Sequence, residues 1–318
     1  MSDVKVNQQP LFKVKKPGLQ STIQDLGRIG YQQYGVVTSG AMDPFAMQVA
    51  NILVGNYRNE ACIEIALVGP DLIVLSDCTV AIAGADFNVE LNGKPIKIWR
   101  TFKLREGDRL VFGAPNSGMR AYLSVSGGFD VPVVMGSKST YTKAGIGEAI
   151  TKGDILCGYA VKGLSGVGLV HTEVPIYEKK VELRVVEGPH TDRFTEEGLN
   201  IFYNGIHVVS PQSDRMGYRL ESRAITHHDG ADIWSDPIPM GAVQVPANGQ
   251  PIILMADRQT TGGYTRIATV ISEDVPKVAQ LIPGGKIRFK SIDVDKAHKL
   301  YKKRERFLRN LKYFARRK

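Results

Sequence analysis

Three neighbouring runs decide the fold: Thr79-Val80-Ala81-Ile82-Ala83, Asn88-Val89-Glu90-Leu91 and Ile96-Lys97-Ile98-Trp99, the last two joined across Asn92-Gly93. Each is short, rich in β-branched or aromatic residues and bounded by turn formers, which predicts strands rather than helices. Asn-Gly is the pair that a two-residue hairpin needs, because both central residues of its turn take positive φ. Further runs of the same kind surround them: Ile63-Glu64-Ile65, Leu72-Ile73-Val74-Leu75, Leu110-Val111-Phe112 and Ala121-Tyr122-Leu123-Ser124-Val125. Many short strands at this spacing predict a barrel or sandwich.

Working outward, Phe12–Val14 reads as a strand that leads into a glycine-punctuated loop, Pro17 to Tyr31, which carries Gln24, Asp25 and Arg28. A helix follows at 45–55: apolar residues 45, 49, 52 and 53 share one face, Asp43 stands at the N-cap, Pro44 at the first helical position and Gly55 at the C-terminal end. Lys162–Lys180 reads as a linker. After it, Val181–Val186 alternates as a strand and a second β unit runs to about Lys290. Asp274–Leu281 predicts a short helix, with Asp274 as its cap. The expected organisation is an N-terminal β-rich unit over residues 1–176, a β-barrel over 177–290 and a basic amphipathic helix over 291–318. In the tail Leu300, Tyr301, Phe307, Leu308, Leu311, Phe314 and Ala315 fall on one helical face.

Composition narrows the function. A hydrophobic content of 43% with 23% charge is that of a globular protein able to bury a core without staples. The net charge of +9 is confined to the tail: Lys296–Lys318 holds eleven Lys and Arg against Glu305, for +10, which leaves the other 295 residues at −1. No nucleic-acid face is therefore expected on the body. No apolar run reaches the roughly 20 residues of a membrane helix and no leader pattern opens the chain, so neither membrane insertion nor export is expected. Three widely spaced cysteines, Cys62, Cys78 and Cys157, in apolar contexts predict buried reduced thiols and a cytoplasmic location.

Several chemistries lack their pattern. Gly136-Ser137-Lys138 breaks the order of a P-loop, and no Gly-x-Gly-x-x-Gly loop joins a strand to a helix. His227-His228-Asp229 offers no third ligand at a metal-binding spacing, so no metal is expected. There is no Gly-x-Ser-x-Gly elbow.

The polar loops remain. The richest is Asp257-Arg258-Gln259-Thr260-Thr261-Gly262-Gly263-Tyr264, which follows the buried run Pro251–Ala256 where a strand must end and the chain turn. With Gln24, Asp25 and Arg28; Ser39 and Asp43; Ser137, Ser139 and Thr140; and Asp214, Arg215 and Tyr218, it makes a set of carboxylates, arginines, amides and hydroxyls. Such a set suits a small polar substrate with an amide, carboxylate or ureido group. Asp257, Arg215 and Asp25 are the candidate catalytic residues, Asp257 first for proton handling. Gln24, Arg28, Ser39, Asp43, Ser137, Ser139, Thr140, Tyr218, Gln259, Thr260, Thr261 and Tyr264 are the candidate substrate contacts. Taken singly, Asp25 with Arg28 and Asp214 with Arg215 also read as local ion pairs or turn caps.

Seven stretches carry a resemblance: Gly18–Arg28, Ser39–Asp43, Leu53–Asn56, Gly136–Thr140, Asp214–Leu220, Ile238–Pro246 and Gln259–Tyr264. In this order they resemble the allophanate hydrolase subunit 2 family, also described as biotin-dependent carboxyltransferase-like, whose bacterial members include the C-type subunit of 5-oxoprolinase. The resemblance spans Lys16 to Phe289. It implies a mainly β fold with short helices and two cyclophilin-like β-barrel units. It also implies a subunit 1-type partner (like the B-type chain of 5-oxoprolinase) and a third protein (like its A-type chain), with which the chain would open 5-oxoproline to L-glutamate at the expense of ATP. ATP would be used by the complex, at a site not located on this chain. The alternatives it implies are carboxyl transfer from carboxybiotin to a urea-like substrate, or regulation of the subunit 1-type protein. No Met-Lys-Met signal is present, so no covalently attached biotin is expected here.

Overall fold

Asn92 and Gly93 adopt φ of 54° and 75° and close a hairpin, as their chemistry requires. They do so in a computed structural model that describes residues 8–315 apart from 160, 162 and 164. Residues 1–7, where a leader would begin, residue 162 at the head of the linker and residues 316–318 of the tail lie outside the described residues.

The chain divides into two units, the first made of Met1–Gly27, Asp43–Ile176 and Phe307–Lys318, the second of Arg28–Met42 and Tyr177–Arg306. In the first, the strands are β1 (Gln9–Lys16), β2 (Gln20–Gln24), β3 (Cys62–Ala66), β4 (Asp71–Val74), β5 (Cys78–Asp86), β6 (Glu90–Leu91), β7 (Lys94–Pro95), β8 (Arg100–Leu104), β9 (Arg109–Val111), β10 (Ser117–Val125) and β11 (Ile155–Gly158). They form a six-stranded sheet, β11-β1-β4-β9-β6-β7, and a five-stranded one, β2-β3-β10-β5-β8. Phe12, Leu72 and Leu110 from one sheet and Ile63, Ile82 and Leu123 from the other share a single core. Helix α1 (Pro44–Leu53) is capped as expected, Asp43 Oδ1 accepting from Ala46 N at 2.9 Å.

One expected strand is absent. Ile96–Trp99 is irregular because Trp99 takes φ of 63° and turns its indole inward, where Nε1 donates to Gly84 O at 3.1 Å. β8 starts only at Arg100.

The second unit contains β12 (Lys180–Glu187), α2 (Glu196–Asn204), β13 (His207–Val209), β14 (Gly217–Glu221), β15 (Asp232–Pro237), β16 (Ala242–Gln244), β17 (Ile252–Leu254), β18 (Thr261–Tyr264), β19 (Arg266–Val270), α3 (Val275–Ala279) and β20 (Lys286–Ser291). Seven of these strands close a barrel in the order β12-β19-β16-β17-β14-β13-β20. β20 lies parallel to β12 and antiparallel to β13, and all other neighbours in the barrel are antiparallel. Leu183, Tyr218, Val243, Ile253, Ile267 and Phe289 fill the interior. β15 and β18 pair outside the barrel as a two-stranded ribbon.

Asp274 stands at the start of α3 without capping it by its side chain. Its carboxylate is drawn instead to Arg184, at 2.6 and 2.8 Å, and to Lys277 at 2.9 Å. Burial pushes Asp274 up, but these cations and the Arg184 backbone N–H hold it below the usual carboxylate range. The last helix, α4 (Val294–Ala315), buries Leu308 and Ala315 but leaves Tyr301 exposed. Phe314's side chain lies outside the described residues. No described helix is long and apolar enough to cross a membrane.

Candidate functional site

In the second unit, the buried run β17 ends at Leu254 and the chain turns, Arg258 N donating to Met255 O. The turn places Asp257 against Arg215: Nε donates to Oδ2 at 2.9 Å and Nη2 to Oδ1 at 3.1 Å, with both residues buried. Asp257 N also donates to Arg215 O. Arg215 thus pairs 42 residues away, while its neighbour Asp214 caps its own turn through Met216 N and Gly217 N.

Two more contacts tie a third segment to this pair. Ser39 Oγ donates to Asp257 Oδ1 at 2.7 Å and Arg215 Nη2 donates to Gly40 O at 2.6 Å. Ser39 has φ of 57°, a conformation that costs a side-chain-bearing residue roughly 1–2 kcal/mol. Strain of this kind persists where surrounding bonds over-determine it. Both oxygens of Asp257 are thereby occupied, so the carboxylate can take a substrate proton only after one of these bonds breaks. Arg28 is fully buried, and its backbone N–H donates to Thr38 O at the base of the same loop.

Beside this pair lies a groove of about 520 Å³ on the outer wall of the barrel. Its floor follows from strand alternation. On β14, Tyr218 and Leu220 point into the barrel while Arg219 and Glu221 point out. Arg219 is in register with Ile252 on β17, and Ile252 with Gln244 on β16, so the three form a row across the wall. Gln259, Tyr264 and Gln250 also line the groove. Gln244 Nε2 donates to Tyr264 O at 3.2 Å, and a Cβ at Gly262 would come within 2.9 Å of that nitrogen and 2.5 Å of Ile238 Cδ1. Glycine there lets the ribbon lie close to the wall.

The sequence-derived candidates therefore separate. Gln259 and Tyr264 reach the groove, Thr260 lines a neighbouring cavity and Thr261 is exposed on the ribbon. Tyr218 is inside the barrel, its hydroxyl donating to Ala279 O at 3.2 Å. Gln244, Gln250, Arg219 and Glu221 were not among the candidates. The signal for Arg219 and Glu221 was the alternation of Gly217-Tyr218-Arg219-Leu220-Glu221 itself.

The remaining candidates form a cluster in the first unit. Asp25 Oδ1 accepts from Gly27 N and Ser137 Oγ at 2.7 Å and from Ser139 Oγ, and Oδ2 accepts from Lys138 N at 2.7 Å. Gln24 Nε2 donates to Thr140 O and Thr22 Oγ1. These bonds fasten the 137–140 loop to the end of β2. Asp43 N donates to Tyr122 Oη, which donates in turn to Glu64 Oε2 at 2.8 Å. Burial, then the Glu64 carboxylate, push the Tyr122 phenol far above its usual range, so it stays a donor.

Burial, chiefly, also raises the Cys62 thiol, and that of Cys78 to about 12, which makes both inert; Cys157 is only half-buried, against expectation. His227 lies against Phe194 and bonds Thr265 Oγ1, and among the described residues no group of three or more His, Cys, Asp or Glu is placed to hold a metal.

Comparison with known proteins gives these sites a context. Residues 34–291 match the family described as carboxyltransferase domain, subdomain A and B. The C subunit of 5-oxoprolinase from Escherichia coli (strain K12) is 34% identical over 95% of this chain and 97% of its own length. The protein of that name from Haemophilus influenzae is 35% identical over 91% and 94%. The crystal structure of urea amidolyase from K. lactis superposes with a TM-score of 0.90 at 28% identity, covering 97% of this chain and 20% of that one. With its closed barrel and these end-to-end matches, the chain belongs to the carboxyltransferase domain family, subdomains A and B.

Proposed function

We propose that the chain is one component of a cytoplasmic, ATP-dependent 5-oxoprolinase that opens 5-oxoproline to L-glutamate, acting with a subunit 1-type (B-type) protein and a third, A-type, protein. The observation that carries this reading is the match to almost the full length of the C subunit of 5-oxoprolinase, against a fifth of urea amidolyase. The groove supports it chemically. A lactam presents one N–H and one C=O, and the carboxamides of Gln244 and Gln259 offer both donors and acceptors to such an edge, while Gln250 is held at both ends by the Ser222 backbone.

In this reading Gln259 and Tyr264 form the polar rim, while Asp257 and Arg215 act by holding the Ser39–Gly40 turn. Asp25 holds the 137–140 loop in the same manner. ATP is a substrate of the complex, and no residue of this chain is assigned to it. The second reading, carboxyl transfer to a urea-like substrate, draws on the superposition with urea amidolyase and needs carboxybiotin from another chain.

The test combines the purified chain with its two proposed partners and follows glutamate release from 5-oxoproline. Release that needs ATP, all three proteins and no biotin carrier is expected. No release with all three present, or release that needs a biotinylated protein, sinks the 5-oxoprolinase reading.

A further inference from the structure

Gln259 lines a second cavity in the barrel unit, of about 310 Å³, together with Arg258, Thr260, Thr38 and Gln32. Arg258 enters it half-buried. Its Nε donates to Ile238 O at 2.9 Å and its Nη1 to Met255 O at 3.2 Å. Both acceptors are neutral, and among the described residues neither a carboxylate nor a partner for Nη2 is found. Other arginines of the same unit differ: Arg184 meets Asp274 at 2.6 Å, Arg215 meets Asp257 at 2.9 Å and Arg266 meets Asp236 at 3.1 Å.

A guanidinium cannot shed its proton at neutral pH, so a partly desolvated one without a counter-charge is costly unless something supplies it. No acidic residue lines the cavity, so nothing in it repels an anion. Gln32 Oε1 already accepts from Gly30 N at 2.8 Å, which leaves its Nε2 as the donating end. The Thr38 and Thr260 hydroxyls add two more donors. The volume is at the lower end for a small-molecule site, roughly 300 Å³.

We propose that this cavity binds a small oxyanion, a carboxylate or phosphate group that the Nη edge of Arg258 anchors and the Thr38, Thr260 and Gln32 side chains complete. Burial alone holds the Arg258 guanidinium below its ordinary value, with no carboxylate acting in the opposite direction. A bound anion supplies that opposing charge. The inference goes beyond the 5-oxoprolinase reading, since it concerns binding by the chain alone and its test does not use activity.

The test titrates 5-oxoproline, uncharged 2-pyrrolidone and inorganic phosphate separately into the full chain by calorimetry. Saturable binding of 5-oxoproline or of phosphate is expected, with pyrrolidone silent; which anion binds separates the carboxylate from the phosphate source. Arg258→Gln is expected to weaken binding by about tenfold or more, the loss of a charge-assisted bond. Thr260→Val leaves the Arg258 bonds to Ile238 and Met255 in place, so it serves where Arg258→Gln fails to fold, and is expected to weaken binding by about threefold to tenfold. Absence of saturable binding by either anion, binding of pyrrolidone as tight as that of 5-oxoproline, or unchanged affinity in the folded variants overturns the proposal.

Discussion

Asp25 in the first unit and Asp257 in the second are buried alike, 8% and 7% exposed, yet the charge of each is met differently. Asp25 sits in a cage of neutral donors, two hydroxyls and two backbone N–H groups, three of them from the single loop 137–139. Asp257 meets a guanidinium, and the pair draws together segments at 39–40, 215 and 257. A cage of neutral donors fixes one loop with modest energy per bond. A buried ion pair ties distant segments, and losing either partner strands the other charge.

Breaking the two arrangements should therefore have unequal effects. Asp257→Ala or Arg215→Ala leaves an uncompensated buried charge and is expected to cost about 3–5 kcal/mol in chemical denaturation. Asp25→Ala strands only neutral donors and is expected to cost about 1–3 kcal/mol. Equal losses at the two sites would show that the guanidinium adds nothing to what hydroxyls provide.

The turn held by the ion pair gives a finer test. Ser39→Ala loses the bond to Asp257 and keeps the positive φ, whereas Ser39→Gly loses the bond and relieves the backbone. The glycine variant should be the more stable of the two by about 1 kcal/mol. If the alanine variant is the more stable, the turn is not strained in the protein.

The histidines that burial holds low all lie in the second unit. His207, fully buried in the barrel unit with Nε2 donating to Phe202 O, is held below its ordinary value by burial; burial likewise lowers His190 and His227. A folded-state value below the unfolded one means that stability is present above about pH 6.5 and lost as pH falls through the depressed value. Thermal unfolding of the barrel unit should soften over that window, and His207→Gln should shrink the effect. An identical pH slope in wild type and variant would remove burial of His207 as its cause.

What was legible in the sequence was local chemistry. Asn92-Gly93 specifies its own turn, and Asp43-Pro44 specifies the start of α1, because each needs only its neighbours. The polar set was legible as residue types at strand ends. Its pairing was not, since Ser39 and Asp257 are 218 residues apart and nothing local distinguishes Asp214 from Asp257 as the partner of Arg215. Trp99 shows the converse limit. The strand-like run Ile96–Trp99 is interrupted where Trp99 takes positive φ and its buried indole finds an acceptor in Gly84 O. Tyr218 was chosen for its hydroxyl, whereas the period of β14 turns that hydroxyl inward and gives the groove Arg219 instead.

The central claim, that the groove on the barrel wall receives the lactam, is tested most directly by the KM for 5-oxoproline in the three-protein reaction with Gln244→Leu. This change keeps side-chain bulk on β16 and removes the carboxamide from the groove. We expect KM to rise about tenfold, the loss of one or two hydrogen bonds to the neutral amide edge of the lactam, in a chain that still assembles with its partners. An unchanged KM in a folded, assembled variant would contradict the claim and move the substrate site elsewhere.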